Sequence, residues 1–259
     1  MRFIRYQYQN EPPRFGWILD DKVGAVEGNP LAGFQRLPAE LPLDQARLLP
    51  PILPSKIICV GRNYAAHAKE HGADVPHYPL IFFKPPSCLI GPGEAIILPP
   101  QSKQVEHEAE LVVVIGKRGR WISAEEAPGY VFGYTAGNDV TARDLQNSDN
   151  QWTRAKGFDT FGAIGPWIET ELDPADLLIT CHVNGEMRQM ASTRDMVFSI
   201  SQLIAFTSSV MTLEPGDLIF TGTPSGVGPL QDGDTVEVKI DGIGSLVNPV
   251  AADRAHLGV

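Results

Sequence analysis

The chain has 259 residues, of which 43% are hydrophobic, a length that allows one large domain or one domain with a small appendage. Its formal net charge is −10 and it has no basic block, which argues against a nucleic-acid-binding surface. It also has no apolar run long enough for a membrane helix, no signal-peptide core and three cysteines at unrelated spacings, so we expect reduced thiols in a cytoplasmic protein.

The first fifty residues predict short strands and then a proline-rich connection. Residues 2–8 and 15–27 are typical of strands. The connection contains five prolines: Pro38, Pro42, Pro50, Pro51 and Pro54. Their spacing indicates an extended linker. We therefore place a boundary near residue 53, which separates a small N-terminal β domain with its linker (1–53) from a main domain (54–259).

Apolar runs in the main domain predict many short strands and few helices. Strands are expected at residues 56–60, 111–115, 130–136 and 236–240, and a hairpin at 181–187. Asn184-Gly185 suits the hairpin turn because both residues tolerate a positive φ. Asp195 is expected to cap a helix whose buried face carries Ile200 and Ile204. The chain is therefore predicted to be mainly β with minor α content.

Three glutamates lie at alternate positions immediately before the apolar run 111–115. Alternate residues of a strand share a face, so Glu106, Glu108 and Glu110 would repel one another unless a positive charge lay between them. Because this strand continues into the core, at least Glu110 is expected near buried surface, where a carboxylate needs a partner. The alternative is an exposed strand end with solvated charges, which is the commoner meaning of an isolated Glu-x-Glu pattern.

Asp139 follows another predicted strand, at a position where functional side chains often lie. Its local alternative, which the neighbouring residues favour, is the cap of a helix that begins near Thr141. A set of carboxylates without cysteine or histidine favours a hard divalent ion, Mg²⁺ or Mn²⁺, over zinc. Three such ligands would leave about three of the six octahedral positions for water and substrate.

Six ordered motifs carry a resemblance to a known family. They are VGRNYAAH at 60–67, HEAEL at 107–111, NDVTARD at 138–144, AKGF at 155–158, VNG at 183–185 and TGTPSGVG at 221–228. Over residues 55–250 the chain resembles the fumarylacetoacetate hydrolase superfamily, especially its smaller members: acylpyruvate hydrolases, oxaloacetate decarboxylases and 2-hydroxyhepta-2,4-diene-1,7-dioate isomerases. The N-terminal stretch resembles the small leading domain of many bacterial members.

The resemblance implies a fold, an assembly and a set of metal ligands. The family fold is a mixed β-roll that usually assembles as a dimer, so we expect a homodimer. The family's ligands fall on Glu108, Glu110 and Asp139, with Mg²⁺ or Mn²⁺ as the cofactor. Glu106 has no counterpart in the family's set, and we expect it to be solvated or to lie outside the ligands.

Two further pairs of residues are candidates because of their helical spacing together with the resemblance. His67 and Glu70 lie three residues apart, where a carboxylate can orient an imidazole, and hydrolytic family members use a matching pair to activate water. The alternative is an ordinary surface pair. Arg143 and Gln146 have the same spacing, and Arg143 is expected to bind a substrate carboxylate. Its alternative is a pairing with Asp144 or Asp149.

Lys156 and Thr223 complete the predicted site. The resemblance implies that Lys156 lies in the active site, where it would offset excess negative charge and bind an enolate oxygen. Its alternative is a surface lysine, the usual position of this residue type. Thr223 lies in a glycine-rich turn whose backbone N–H groups could meet an anion of the substrate. The alternative is a turn with no ligand.

These assignments predict hydrolysis of the C3–C4 bond of a small 2,4-dioxo acid of the acylpyruvate type. His67, held by Glu70, would activate water, and Lys156 with the metal would stabilise the enolate that leaves. The alternatives at the same site are isomerisation of 2-hydroxyhepta-2,4-diene-1,7-dioate and decarboxylation of oxaloacetate, because both also pass through an enolate. A non-catalytic oxo-acid-binding protein, which would bind oxalate without turnover, is a further alternative.

Overall fold

The structure is a computed structural model that describes residues 1–70 and 72–254. The strands are β1 Arg2–Gln7, β2 Arg14–Leu19, β3 Lys22–Asn29, β4 Gly33–Pro42, β5 Arg47–Leu49, β6 Ile57–Gly61, β7 Leu80–Lys84, β8 Leu89–Ile90, β9 Ile96–Leu98, β10 Val105–His107, β11 Ala109–Ile115, β12 Val131–Asp139, β13 Thr141–Ala142, β14 Gly162–Glu169, β15 Leu178–Val183, β16 Glu186–Ser192, β17 Leu218–Phe220, β18 Gly228–Pro229, β19 Thr235–Ile240 and β20 Gly244–Ala252. The α-helices are α1 Ala65–Glu70, α2 Arg143–Ser148, α3 Thr153–Lys156 and α4 Ile200–Val210. The predicted mainly β class is confirmed, and none of these helices has the length and apolarity to cross a membrane.

One large mixed sheet runs from the N-terminal strands into the main domain. Its order is β4-β3-β2-β1-β14-β12-β11-β17-β6-β7, with β5 against β1 and β8 against β14. The predicted linker is therefore partly wrong, because residues 33–42 and 47–49 form paired strands. Proline is tolerated in β4 because this strand lies at the sheet edge, where a missing N–H need not break a ladder of hydrogen bonds.

Two smaller sheets, β13-β10-β18 and β16-β15-β19-β20-β9, complete the described part of the chain. The predicted hairpin is confirmed: Asn184 and Gly185 join β15 to β16 with φ of 54° and 80°. In β19, Val236, Val238 and Ile240 are all buried, as their alternation predicts.

The core lies on both faces of the large sheet. Every residue of β11 is buried, with Leu111, Val113 and Ile115 in one apolar cluster and Val112 and Val114 in another. Each such side chain stabilises the fold by roughly 1.5–3 kcal/mol when fully buried. The two-sided burial explains why residues 111–115 of this strand are continuously apolar rather than alternating, and it fixes the position of the glutamates that precede this run.

One predicted helix start is wrong. Helix α4 begins at Ile200 behind Ser199, whose hydroxyl accepts the Gln202 N–H at 3.3 Å while the Gln202 side chain accepts the Ser199 N–H. Asp195 instead ends a short 3₁₀ turn, where its carboxylate accepts the Ser192 N–H. The capping box at Ser199 therefore outcompetes Asp195 as the helix start.

Candidate active site

The three predicted metal ligands meet where two antiparallel strands pair. Glu108 lies between β10 and β11, Glu110 lies in β11, and Asp139 is the last residue of β12. The Asp139 N–H donates to the Glu108 carbonyl at 2.9 Å, and the Asn138 side chain accepts the Glu108 N–H at 2.9 Å. One oxygen from each of the three carboxylates lies within 4.8 Å of the others, and all three residues are buried.

Asp139 is not a helix cap. Ala142 precedes helix α2, and the Asp139 carboxylate accepts hydrogen bonds from two buried lysines instead. Lys84 Nζ lies 2.6 Å from Asp139 Oδ1, and Lys156 Nζ lies 2.8 Å from Asp139 Oδ2. Lys156 also contacts Glu108 Oε2 at 2.7 Å, so it bridges two of the three candidate ligands rather than lying on the surface.

The charges around the triad are unequal. Burial alone would raise the pKa of Glu108, but the cations of Lys156 and Arg143 outweigh it and hold that pKa well below its ordinary value. Burial, and then the charges of Asp139 and Glu108, raise the pKa of Glu110 well above its ordinary value. Among the described residues no lysine or arginine forms an ion pair with Glu110, and the nearby charge of Lys156 only partly offsets the rise in its pKa.

The donor set fits a hard divalent cation. It consists of carboxylate oxygens only, it is buried, and it carries one carboxylate that protein cations do not neutralise. The Glu110 carboxylate is held in place by the Gly222 N–H at 2.7 Å, which leaves its other oxygen for a ligand. Glu108, Glu110 and Asp139 would therefore hold the ion.

The Arg143 side chain contacts three residues of the protein, which the sequence does not predict. Its guanidinium contacts Glu106 at 2.7 Å and Glu108 at 2.6 Å, and it also donates to the side-chain oxygen Oε1 of Gln146. Burial would lower the pKa of Arg143, but Glu108 and Glu106 raise it above its ordinary value. Of the two expectations for Glu106, solvation is wrong, since this residue is buried against Arg143, and a position outside the three candidate ligands is confirmed.

The local alternative for Arg143 is also wrong. Asp149 pairs with Arg154, while Asp144 accepts hydrogen bonds from Ser102 and the Lys103 N–H. The three engaged nitrogens of Arg143 use three of its five N–H groups, which leaves two for a substrate.

His67 and Glu70 lie beside each other in helix α1, with 3.3 Å between His67 Nδ1 and Glu70 Oε2. His67 is buried, whereas the Glu70 side chain is partly exposed and also accepts the Gly226 N–H at 3.1 Å. The pair is therefore tied to the glycine-rich turn at 221–228, and it is not an ordinary surface pair.

Thr223 is buried in that turn, and its hydroxyl donates to the Ala109 carbonyl at 2.9 Å. The sequence does not reveal its second partner, Gln189 of β16, whose Nε2 donates to Thr223 Oγ1 and to the Pro224 carbonyl, both at 2.8 Å. The Gln189 Oε1 accepts from the Ala109 N–H and faces His107 Nδ1 at 3.0 Å. Gln189 therefore joins the turn to the residue between Glu108 and Glu110.

A cavity of about 360 Å³ opens over the triad. It is lined by Val60, Gly61, Arg62, His67, Phe82, Glu108, Glu110, Asp139, Arg143, Gln146, Asn147, Trp152, Lys156 and Thr223. The structure thus brings eight of the nine predicted site residues to one cavity, and the ninth, Glu70, contacts one of them. Lys84, Arg62 and Gln189 are the functional candidates that the sequence did not single out.

In a comparison with known proteins, two family models together match nearly the whole chain. The family model described as fumarylacetoacetate (FAA) hydrolase C-terminal matches residues 56–251, and one described as Rv2993c-like, N-terminal, matches residues 1–51. The chain is 45% identical over 223 residues to the mitochondrial oxaloacetate tautomerase FAHD2B of Bos taurus, which covers 81% of this chain and 71% of the relative.

Solved structures are similar over almost the full length. A 5-carboxymethyl-2-hydroxymuconate delta-isomerase from Mycobacterium smegmatis is 45% identical, with a TM-score of 0.92, over 98% of this chain and 100% of the other. A fumarylacetoacetate hydrolase from Exiguobacterium antarcticum is 38% identical, with a TM-score of 0.84, over 97% of this chain and 99% of the other.

Proposed function

Because the chain belongs to the fumarylacetoacetate hydrolase family, we propose that it is a divalent-metal-dependent enzyme that moves a proton between the keto and enol forms of a small 2-oxo acid. The observation that carries this proposal is the buried set Glu108, Glu110 and Asp139 at the base of a cavity that Lys156 also lines. Enol chemistry needs a concentrated positive charge beside the 2-oxo group, and this set would hold such a charge.

A bound divalent ion would supply a Lewis acid that polarises the 2-oxo group and makes the C3 protons more acidic. Lys156 would act beside it. Burial would lower the pKa of Lys156, but Asp139 and Glu108 raise it above its ordinary value, so the ammonium group stays charged. Its two carboxylate contacts fix Nζ at the cavity wall, where a charge-assisted hydrogen bond would stabilise an enolate oxygen.

His67 is the candidate for the proton transfer at C3. It lines the cavity, and Glu70 contacts its Nδ1, a contact that would orient the ring for proton transfer at Nε2. Glu70 is itself held by the Gly226 N–H, so the imidazole has a supported orientation. Arg143 and Gln146 would position the substrate's first carboxylate through the N–H groups that remain on the guanidinium.

Hydrolysis of a C–C bond in an acylpyruvate is the second candidate. The His67–Glu70 pair favours it, since an imidazole oriented by a carboxylate is also suited to removing a proton from water. The hydrolase name of the Exiguobacterium antarcticum relative supports it as well. The names of the two 45% identical relatives, a tautomerase and an isomerase, favour proton transfer.

The test is to incubate the protein in D₂O with Mg²⁺ or Mn²⁺ and one of three acids: oxaloacetate, acetopyruvate or a hydroxymuconate-type diacid. Proton transfer predicts deuterium at C3 above the uncatalysed rate, measured by NMR, with loss of this activity in Glu110→Gln. The matched control Glu125→Gln changes an exposed glutamate and should behave as wild type. Pyruvate and acetate released from acetopyruvate faster than C3 exchange would favour hydrolysis, and no reaction of any acid would contradict both.

A further inference from the structure

Three permanent cations line the cavity: Arg62, Arg143 and Lys156. The last two each contact a pair of buried carboxylates at 2.6–2.8 Å. Arg62 differs, because none of the residues that the structure describes forms a hydrogen bond or an ion pair with its side chain. A half-buried guanidinium without a protein anion is a site prepared for an anion of the ligand.

The backbone holds Arg62 in a conformation that long side chains rarely adopt. Its φ is 58°, in the left-handed region, immediately after β6 ends at Gly61. The next residue, Asn63, is fully buried: it accepts the Phe198 N–H at 2.8 Å and donates to the Thr221 carbonyl at 2.7 Å. Because such strain persists only where the surroundings impose it, Asn63 serves as the anchor that keeps Arg62 at the cavity.

The charges around the triad also leave a place for a second anionic group. The triad and its buried charged neighbours comprise four carboxylates and three cations: Glu106, Glu108, Glu110 and Asp139, with Lys84, Arg143 and Lys156. With all four carboxylates ionised around a bound divalent ion, these side chains sum to one negative charge, and the ion brings the total to one positive charge. Arg62 makes the total two positive charges, so the loaded cavity is complementary to a dianion rather than to a monoanion.

Aromatic rings close the cavity beside Arg62. A Cβ on Gly61 would come within 2.8 Å of the Trp152 ring, so the absence of a side chain there lets Trp152 pack against the strand end. The Phe82 ring lies edge-on to Trp152 at 5.2 Å. Apolar walls exclude water, and a hydrogen bond between charged groups is stronger where the local dielectric is low.

We propose that Arg62 binds the distal carboxylate of a dicarboxylic 2-oxo acid and so makes the enzyme select diacids over otherwise similar monoacids. This inference rests on the proposed function, which puts the substrate's first carboxylate and 2-oxo group at the triad. Arg62 is then a specificity-determining residue: it recognises the end of the substrate that does not react.

The test compares ligands that differ only at the distal end. Oxaloacetate carries a carboxylate where acetopyruvate carries an acetyl group, and the inert analogues malate and 2-hydroxybutanoate differ by the same carboxylate. KM is measured for the first pair, and Kd by calorimetry with Mg²⁺ for the second. The variants are Arg62→Gln, Arg62→Lys and Arg62→Gly, the last of which removes the side chain at a φ that glycine adopts without strain.

Arg62→Gln and Arg62→Gly are expected to raise the KM of oxaloacetate and the Kd of malate about 10- to 100-fold, the range for a lost hydrogen bond to a charged group. The KM of acetopyruvate and the Kd of 2-hydroxybutanoate should change less than about 3-fold. Arg62→Lys should retain part of the affinity for the diacids, because lysine keeps the positive charge but lacks the paired N–H groups of the guanidinium. The control Arg154→Gln removes an exposed arginine that does not line the cavity and should leave all four values unchanged.

If the Arg62 variants bind the diacid and the monoacid of a pair equally more weakly, or if neither affinity changes, Arg62 does not bind the distal carboxylate. If wild type turns over neither oxo acid but Arg62→Gln still loses malate selectively, the proposed function fails and the assignment of Arg62 as a carboxylate site stands. If wild type binds malate no more tightly than 2-hydroxybutanoate, the cavity does not select diacids and the inference fails regardless of turnover.

Discussion

Gln189 offers a perturbation whose cost follows from its contacts. The side chain is 1% exposed and uses both ends: Oε1 faces the Ala109 N–H and His107 Nδ1, and Nε2 donates to Thr223 and the Pro224 carbonyl. Burial lowers the pKa of His107, so the ring is neutral at pH 7. Because the Gln189 Oε1 can only accept, the donor in this contact is His107 Nδ1–H. The substitution Gln189→Leu keeps the approximate size and removes all four contacts.

The cost comes from the partners that remain buried. The Thr223 hydroxyl still donates to the Ala109 carbonyl, and His107 Nδ1 keeps the Cys181 sulfur at 3.4 Å, but the Ala109 N–H and the Pro224 carbonyl lose the hydrogen bonds that Gln189 makes. Each unsatisfied buried group costs about 1–3 kcal/mol, so for two such groups we expect a loss of about 2 kcal/mol or more in the free energy of unfolding. The whole free energy of unfolding of a typical domain is only about 5–15 kcal/mol, so this loss is a large fraction of it.

Urea denaturation at pH 7 measures this loss, with Gln35→Leu on the exposed edge strand β4 as the control that should change stability by less than about 0.5 kcal/mol. Because the Ala109 N–H lies between Glu108 and Glu110, we also expect weaker Mg²⁺ binding by the folded variant. A loss below about 1 kcal/mol with unchanged Mg²⁺ affinity would refute the view that Gln189 fixes the two glutamates.

Three further outcomes are expected. His67→Ala should lower kcat/KM by about 10²–10⁴-fold with Mg²⁺ affinity unchanged, and Glu70→Gln should fall between it and wild type; a wild-type rate in His67→Ala would mean that another group moves the proton. Lys156→Met should abolish turnover of every substrate, because all the candidate reactions pass through an enolate; an active variant would exclude Lys156 from enolate stabilisation. Because the pKa of Glu110 is raised well above its ordinary value, the metal-free folded protein keeps a proton that the unfolded chain loses above about pH 4.5. The contribution of this group to stability therefore falls as the pH rises from about 4.5 towards the raised pKa, and metal binding should release the proton. Calorimetry in buffers of different ionisation enthalpy detects that release, and identical heats in all buffers would contradict it.

The sequence predicts what local periodicity determines. The spacing of Glu108 and Glu110 and the apolar run behind them indicate a shared strand with a buried end. The structure confirms the burial of both residues, but only Glu110 is part of β11, and Glu108 lies immediately before it. The Asn184-Gly185 turn is equally local, since two adjacent positive φ values require residues of this kind. The family resemblance then adds Asp139, which local sequence favoured as a helix cap.

The sequence does not predict what distant parts of the chain bring together. Lys84 reaches Asp139 across 55 positions, and Gln189 reaches Ala109 across 80. The one local hint at Lys84 was a cation at the end of the apolar run LIFFK. Arg62 is part of a recognised motif, but its free charge is visible only once Arg143 and Lys156 are seen to be paired.

The pairing of residues 33–49 with the large sheet was missed for a similar reason. Prolines such as Pro38 are typical of linkers, and an edge strand that tolerates them has the same local pattern. A linker and an edge strand differ only in whether they pair with other strands, here β3 and β1, and the sequence of residues 33–49 alone does not reveal that pairing.

Calorimetric titration of the metal-free protein with Mg²⁺ and Mn²⁺ shows whether Glu108, Glu110 and Asp139 hold a divalent cation, on which the proposed function depends. We predict binding of one ion per chain in wild type and in the control Glu125→Gln. We predict its loss in Glu110→Gln, with the fold retained by circular dichroism. Unchanged metal affinity in Glu110→Gln, or no binding in wild type, would contradict the account.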